Sequence, residues 1–261
     1  MLRRSPCRNL AVTLITTAVV VASTTALTTV PRAAAHGTRP AAAAATRTSD
    51  APRSPALTRV QQRLQQLRCD PGPADGRLGD HTRSALVRVQ TRHGLRATGQ
   101  PDAPTRRLLA SARAQRCDLR PVPRASGRGR RVVLSQRQSW IWLVADTGRV
   151  VAQGGIVDNP GVLKRGRYRT GSQCGRPARV RLNRSAHGNL YLDHFVRFAP
   201  CGIGFHRIPR HVAGGAPLHA EYYLGTDLRG ESSGCVRLSA RMARTVWDFT
   251  AGRVSTAVVV L

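Results

Sequence analysis

The period of the apolar pattern changes partway along the chain, and this constrains the fold more than any single motif. Leu57, Val60, Leu64 and Leu67 recur at spacings of three and four and put one apolar stripe on a helix. Ala85, Leu86 and Val89 do the same for a second helix, and Leu108 and Leu109 mark a short third. From residue 131 the apolar runs are short, β-branched and aromatic, with turn residues between them: "RVVLSQRQSWIWLVAD", "RVVAQGGIV", "GRYRTGSQ", "NLYLDHFVRFA", "GIGFH" and "TAVVVL". A chain of 261 residues has room for both patterns. The fold class read from this is a small all-α three-helix bundle followed by a mainly β, sandwich-like domain with one packed helix.

Local signals set the boundaries. Asp75-Gly76 and Gly79 supply turn positions after the first helix, Asp80 is placed to cap the second, His93-Gly94 ends it, and Pro104 opens the third. The helical domain is assigned to residues 56–118. "DLRPVPRASGRGR" reads as a Pro, Gly and Arg linker over 119–130, and the β domain takes 131–261. Its one helix starts at Ser239, buries Met242, Val246 and Trp247, and ends at Ala251-Gly252.

The first 35 residues carry Arg3, Arg4 and Arg8, an uncharged stretch from Leu10 to Val30, and Ala33-Ala34-Ala35 as a cleavage signal. They read as an export signal peptide, an uncleaved membrane anchor being the alternative. Residues 36–55 read as a flexible tether. The net charge of +29 comes almost wholly from arginine, Lys164 being the only lysine. The arginines are spread over every segment, with no basic stripe interleaved with aromatics, so no nucleic-acid partner is expected, whereas an anionic wall polymer fits.

Six cysteines bear on the chemistry. Loss of the signal removes Cys7 and leaves Cys69, Cys117, Cys174, Cys201 and Cys235, an odd number in an exported protein. Cys69 and Cys117 bracket the helical bundle, and Cys174 and Cys201 bracket one strand excursion; these are the expected pairs, with two other pairings of the four open. Cys235 is then the leftover thiol. No Cys or His pair has zinc-ligand spacing, and no metal or organic cofactor is expected.

Cys235 sits in "ESSGCVRLS". A cysteine acts as a nucleophile when a nearby imidazole and backbone N–H groups support it. Ser232 and Ser233 are small and polar. Gly234 permits close backbone approach, and N–H groups about Gly234 and Cys235 are candidates for an oxyanion site. Arg237 falls on the same face of an extended segment as Cys235, where it favours a thiolate or holds a substrate carboxylate.

Two family resemblances follow from these residues. The run "VQQRLQQLRCDPGPADGRLGDHTRSALVRVQTRHGLRATGQPDAPTRRLL" resembles a peptidoglycan-binding module of the three-helix type, through Gln-x-x-Leu, Asp75-Gly76-x-x-Gly79-x-x-Thr82, Gln90, Gly94-Leu95, Gly99 and Thr105; Val89 stands where that family usually has an aromatic. Ser232-x-Gly234-Cys235-Val236-Arg237, with Gly204-Phe205-His206-x-Ile208-Pro209 upstream, resembles an L,D-transpeptidase catalytic domain of the YkuD type. That resemblance implies a β sandwich in which Cys235 is the nucleophile, His206 the general base and acid, and Gly234 part of the oxyanion site, with Ser233 and Arg237 beside the substrate. Ser233 departs from the histidine more frequent at its position. His219 is the rival base, while His187, His194 and His211 read as surface or strand-face residues. The implied partner is peptidoglycan, with stem tetrapeptides as acyl donor and acceptor and the glycan held by the helical module, and the implied protein is a secreted, wall-associated monomer that touches the membrane only if the signal is uncleaved. A carboxypeptidase or hydrolase on the same stems, and a non-catalytic wall-binding protein, are the alternatives.

Overall fold

In the computed structural model the described residues are 53–261, apart from residues 229 and 231 and the side chain of Cys201. The signal peptide, and the tether as far as residue 52, lie outside them. The helical region comprises α1 (Pro55–Gln66), α2 (Asp80–Arg92) and α3 (Ala103–Ala110). Ser54 Oγ caps α1 by accepting from Leu57 N–H, and Asp102 caps α3 by accepting from Thr105 N–H. Asp80 does not cap α2. The cap is Gly79, Asp80 is the first helical residue, and its carboxylate accepts from the Tyr223 hydroxyl while still facing the positive end of the helix.

Two buried glutamines organise this region in the same way. Gln61 Nε2 donates to Asp75 Oδ1, the Arg77 carbonyl and Thr82 Oγ1, each at 3.0 Å, and its Oε1 accepts from Gly76 N–H at 2.8 Å. One helix later, Gln90 Nε2 donates to Thr98 Oγ1, the Gln100 carbonyl and Thr105 Oγ1, and its Oε1 accepts from Gly99 N–H at 3.0 Å. Each helix thus ties down the loop after it and the start of the next helix through one fully used amide. Leu64, Leu67, Ala85, Leu86, Val89 and Leu109 form the small core, which the Cys69–Cys117 disulfide closes with Cα atoms 4.9 Å apart.

Among the described residues the β region has ten strands: β1 (Arg131–Ser135), β2 (Trp140–Val144), β3 (Val150–Gly155), β4 (Gly166–Arg169), β5 (Arg179–Arg184), β6 (Leu190–Ala199), β7 (Ile203–Arg207), β8 (Arg210–His211), β9 (Val236–Leu238) and β10 (Ala257–Val260). One sheet has the order β3-β2-β1-β10-β4 and the other β5-β6-β7-β9, with β8 added to β6. β1 with β10 and β7 with β9 pair in parallel. Between the sheets, Val132, Leu134, Ile141 and Leu143 meet Val196, Phe198, Phe205, Val236 and Leu238. α4 (Ala240–Phe249), capped by Ser239 Oγ, seals this core with Met242, Ala243, Val246 and Phe249.

Residues 119–130 are not a loose linker. β1 and β2 are buried along their whole length, so the outward Val133, Trp140, Trp142 and Val144 need cover, and Val122 packs on them. The Arg120 carbonyl accepts from Trp142 Nε1 at 2.9 Å, and the Arg120 guanidinium, 4.1 Å from the Trp140 ring centre, donates to the carbonyls of Gln138 and Arg88. Burial pushes that guanidinium down to about 9.

Arg88 ties α2 to the β region. Its guanidinium donates to the carbonyls of Cys69 and Asp70 on one side and of Tyr222 and Leu224 on the other. Replacing it leaves the buried carbonyls of Cys69 and Leu224, and the part-buried ones of Asp70 and Tyr222, without this donor. Arg88→Leu is expected to lower unfolding stability by roughly 2–4 kcal/mol; urea titration of parent and variant measures it, and a change within about 0.5 kcal/mol would remove Arg88 from this role.

Candidate active site

Strand register places the chemistry. β7 and β9 pair Phe205 with Val236, His206 with Arg237 and Arg207 with Leu238. Phe205, Val236 and Leu238 point into the core, so the alternate residues His206 and Arg237, and Gly204 and Cys235 one step before the paired run, share the opposite face. Cys235 is the free cysteine of the described residues. Cys174 is disulfide-bonded, and the side chain of its expected partner Cys201 is not described.

The sulfur is held at the start of β7. Cys235 Sγ–H donates to the Gly202 carbonyl at 3.5 Å. Burial, the largest influence, raises the thiol pKa, while the Gly204 N–H and the guanidiniums of Arg197 and Arg237 pull it back. The resting form near neutral pH is therefore the thiol. Gly204 is glycine for a steric reason: a Cβ there would lie 2.5 Å from Phe195 Cζ and 2.7 Å from the Val196 carbonyl oxygen. The same Phe195 ring stacks beneath His206, with centroids 6.0 Å apart and planes 11° apart.

His206 is 2% exposed. Its Nδ1 lies 2.5 Å from the Arg207 carbonyl oxygen, so Nδ1 carries the proton and donates it, leaving the Nε2 lone pair to act as a base. Burial pushes the imidazole pKa down to about 4, with Arg237 pushing the same way and the Arg207 carbonyl and Asp193 opposing. Asp193 is itself engaged, accepting from Arg210 Nε at 2.7 Å and Nη2 at 3.0 Å. A neutral imidazole beside a neutral thiol is suited to taking the thiol proton as the sulfur attacks.

His219 lies toward the other end of β9. Leu218 N–H bonds to the Pro209 carbonyl, Ile208 N–H to that of Leu238, and Ala240 N–H to Glu221 Oε1, which fixes the 218–221 segment beyond Leu238. Three residues of strand, about 10 Å, separate that end from Cys235. His219 Nδ1 bonds to the Ala220 carbonyl and its ring meets Tyr223 edge-on. His194 packs edge-on to Trp247, and His187 and His211 line a surface depression with Gly188 and Val212.

The loop before Cys235 is built around Ser232. Its Oγ accepts from Gly234 N–H at 3.0 Å and donates to the Cys235 carbonyl; its N–H bonds to the Asp158 carbonyl, and its own carbonyl accepts from Asn159 Nδ2 at 2.8 Å. Gly234, at φ +117°, adopts a conformation side chains avoid, and a Cβ would lie 2.8 Å from Val162 Cγ1. The Gly234 N–H, expected as an oxyanion donor, is thus committed to Ser232 Oγ. Ser233 is exposed on the loop, and Arg237 sits half-buried beside the cysteine. Phe195, Arg197 and Asn159 escaped the sequence reading because strand pairing and a loop crossing, not a local motif, bring them here. Among the described residues no group of three or more His, Cys, Asp or Glu is placed to hold a metal ion, and no helix is long and apolar enough to cross a membrane.

Comparison with known proteins separates the two regions. Residues 53–109 match the family described as "Putative peptidoglycan binding domain", which identifies the helical region as such a domain. No curated protein sequence matches the chain. Among solved structures, an L,D-transpeptidase from Xylanimonas cellulosilytica is 22% identical, with 81% of this chain and 98% of that chain covered and a TM-score of 0.45. An L,D-transpeptidase from Stackebrandtia nassauensis is 18% identical, with 80% and 92% covered and a TM-score of 0.40. One from Enterococcus faecium is 15% identical, with 51% and 50% covered and a TM-score of 0.39. Overlays this loose assign no chemistry.

Two outcomes are expected. Gly204→Ala forces Phe195 or β6 to move, so Cys235 alkylation by iodoacetamide should change by about threefold or more and stability should fall by roughly 1–3 kcal/mol; unchanged values would contradict the contact. The second concerns pH. His206 is held well below the ordinary value of about 6.5, so between that value and about 4 the unfolded chain binds a proton that the folded chain does not. Its contribution is fully present above pH 6.5 and is lost as pH falls, by up to roughly 3 kcal/mol. Urea melts from pH 7 to pH 4.5 should show a shallower decline for His206→Gln than for the parent, and parallel declines would contradict it.

Proposed function

We propose that this protein is an exported L,D-transpeptidase that cross-links peptidoglycan stem peptides through an acyl-enzyme on Cys235. The observation that carries the reading is the free Cys235 thiol on the same outward face, and on a directly paired strand, as the buried neutral His206. The peptidoglycan-binding domain at residues 53–109 supports the choice of substrate, since a wall-binding module raises the local concentration of stems around a tethered enzyme.

In the proposed reaction His206 Nε2 takes the Cys235 proton as Sγ attacks the carbonyl carbon of the third stem residue. The Cys235 N–H is the donor proposed for the tetrahedral oxyanion, given that the Gly234 N–H is used by Ser232. The carbon–nitrogen bond then breaks, the His206 proton passes to the departing D-alanine amine, and a thioester remains. The side-chain amine of a second stem attacks this thioester and loses a proton to His206, forming the amide. The sulfur leaves and recovers that proton. Because thiol and imidazole both start neutral, proton removal and attack are coupled rather than preceded by a standing thiolate–imidazolium pair.

Mass spectrometry of a peptidoglycan digest incubated with the full chain is expected to show new links between third residues. Cys235→Ala should abolish them, and His206→Asn should lower the rate by about 10²–10⁴-fold. Undiminished cross-linking by Cys235→Ala would refute the nucleophile. Release of terminal D-alanine without dimers, even with acceptor stems in excess, would replace the transpeptidase reading by the carboxypeptidase one.

A further inference from the structure

Among the described residues, Arg88, Arg120 and Arg131 are buried arginines that spend their guanidiniums on main-chain carbonyls or, for Arg131, also on the Ser126 hydroxyl. Arg197, 2% exposed, spends its guanidinium only in part. Its Nε donates to the Pro177 carbonyl at 3.2 Å, and its guanidinium lies 4.9 Å from the Phe195 ring centre, but Nη1 is buried with no hydrogen-bond partner. A buried cationic donor left unsatisfied is costly, and such groups are commonly completed by a ligand.

Its position says which ligand. Arg197 pairs with Gly204 across β6 and β7, where the register shifts between Arg197 and Ala199, a local irregularity of the kind that re-aims side chains beside active sites. A Cβ built on Gly202 would lie 3.9 Å from Arg197 Nη1 and 3.9 Å from Arg176 Nη1, and the Gly202 carbonyl is the one that accepts from Cys235 Sγ. Arg237 flanks the sulfur from β9. None of the ion pairs among the described residues involves Arg176, Arg197 or Arg237. Arg197 and Arg237 thus act on the thiol and Arg176 lies beside Gly202, none of the three in an ion pair with a carboxylate.

We propose that Arg197, with Arg176 and Arg237 around it, binds the free C-terminal carboxylate of the residue that departs when Cys235 is acylated, and so selects stems that end one residue beyond the scissile bond. The proposal rests on the peptidoglycan reading and assigns the selection of that substrate to a residue. An extra residue would carry the carboxylate about 3.5 Å further along an extended chain. Arg197 cannot follow, because its Nε is tied to Pro177. No bond is made or broken at Arg197, so it acts as a specificity residue.

Two measurements on the full chain test this. The first compares Cys235 alkylation by iodoacetate, an anion, with that by neutral iodoacetamide. The iodoacetate-to-iodoacetamide rate ratio is expected to exceed that of free cysteine by about tenfold and to fall to within about twofold of it in Arg197→Gln. Loss of Arg197 also lowers the thiolate fraction, and the ratio cancels that change because both reagents meet the same thiolate; continued iodoacetamide labelling at Cys235 shows that the variant's thiol is still accessible. Arg176→Gln, at an exposed position of the same patch, should lower the ratio without disturbing a buried side chain. A parent ratio equal to that of free cysteine, or a ratio unchanged in both variants, overturns the anion site. The second compares a stem tetrapeptide with its C-terminal amide. The parent should prefer the free acid by at least about thirtyfold in kcat/KM, and Arg197→Gln should lose most of that preference. Equal use of both donors by the parent overturns the assignment. An alkylation pattern as expected with neither donor consumed refutes the peptidoglycan reading while upholding the anion site.

Discussion

The parallel pairing of β7 with β9 is the constraint on which the site depends. Its register is set by Phe205, Val236 and Leu238, which the core claims, and a one-residue slip of β9 would turn Val236 and Leu238 outward. Once those side chains are buried, His206, Arg237, Gly204 and Cys235 have no choice of face. Packing thus does the positioning that the proposed chemistry needs, and α4, which closes over the same core with Met242, Val246 and Phe249, protects that register. The loop before Cys235 adds a second restraint, because Ser232 bonds to Gly234 and Cys235 while Asp158 and Asn159 hold it from outside.

Arginine has three separate uses in this molecule. Arg88 and Arg120 act as multi-pronged donors that satisfy carbonyls where helices, strap and sheet meet, a task for which the planar guanidinium is better shaped than an ammonium group. Arg210 neutralises Asp193 near His206. Arg197 and Arg237 lie beside the sulfur. The charge of +29 therefore does not describe one basic surface, and the scatter of arginines along the chain reflects in part their separate internal tasks.

Much of this was legible in the sequence where short-range physics decides. The three helices follow from spacing and the leftover Cys235 from counting, while the Cys69–Cys117 bond is one of the pairings that counting leaves open. β7, which carries His206, pairs with the strand that follows Cys235. Other features depended on tertiary context. Asp80 left its capping role because Tyr223, far along the chain, offered its carboxylate a hydroxyl. The segment 119–130 reads as a linker from its Pro, Gly and Arg, yet two strands buried on both faces required it as cover. Gly234 was read as a donor to substrate, and a serine two residues away took its N–H instead. Arg197 was invisible among so many arginines until strand pairing set it opposite Gly204.

The central claim is that Cys235 becomes acylated by a stem peptide with His206 as the base. Intact-protein mass spectrometry after brief mixing with a disaccharide tetrapeptide tests it directly. The account predicts an adduct equal to the donor less its terminal residue, located on the peptide containing Cys235 and absent in Cys235→Ala. An adduct on another residue, or turnover of the donor by a chain whose Cys235 is already alkylated, would contradict it.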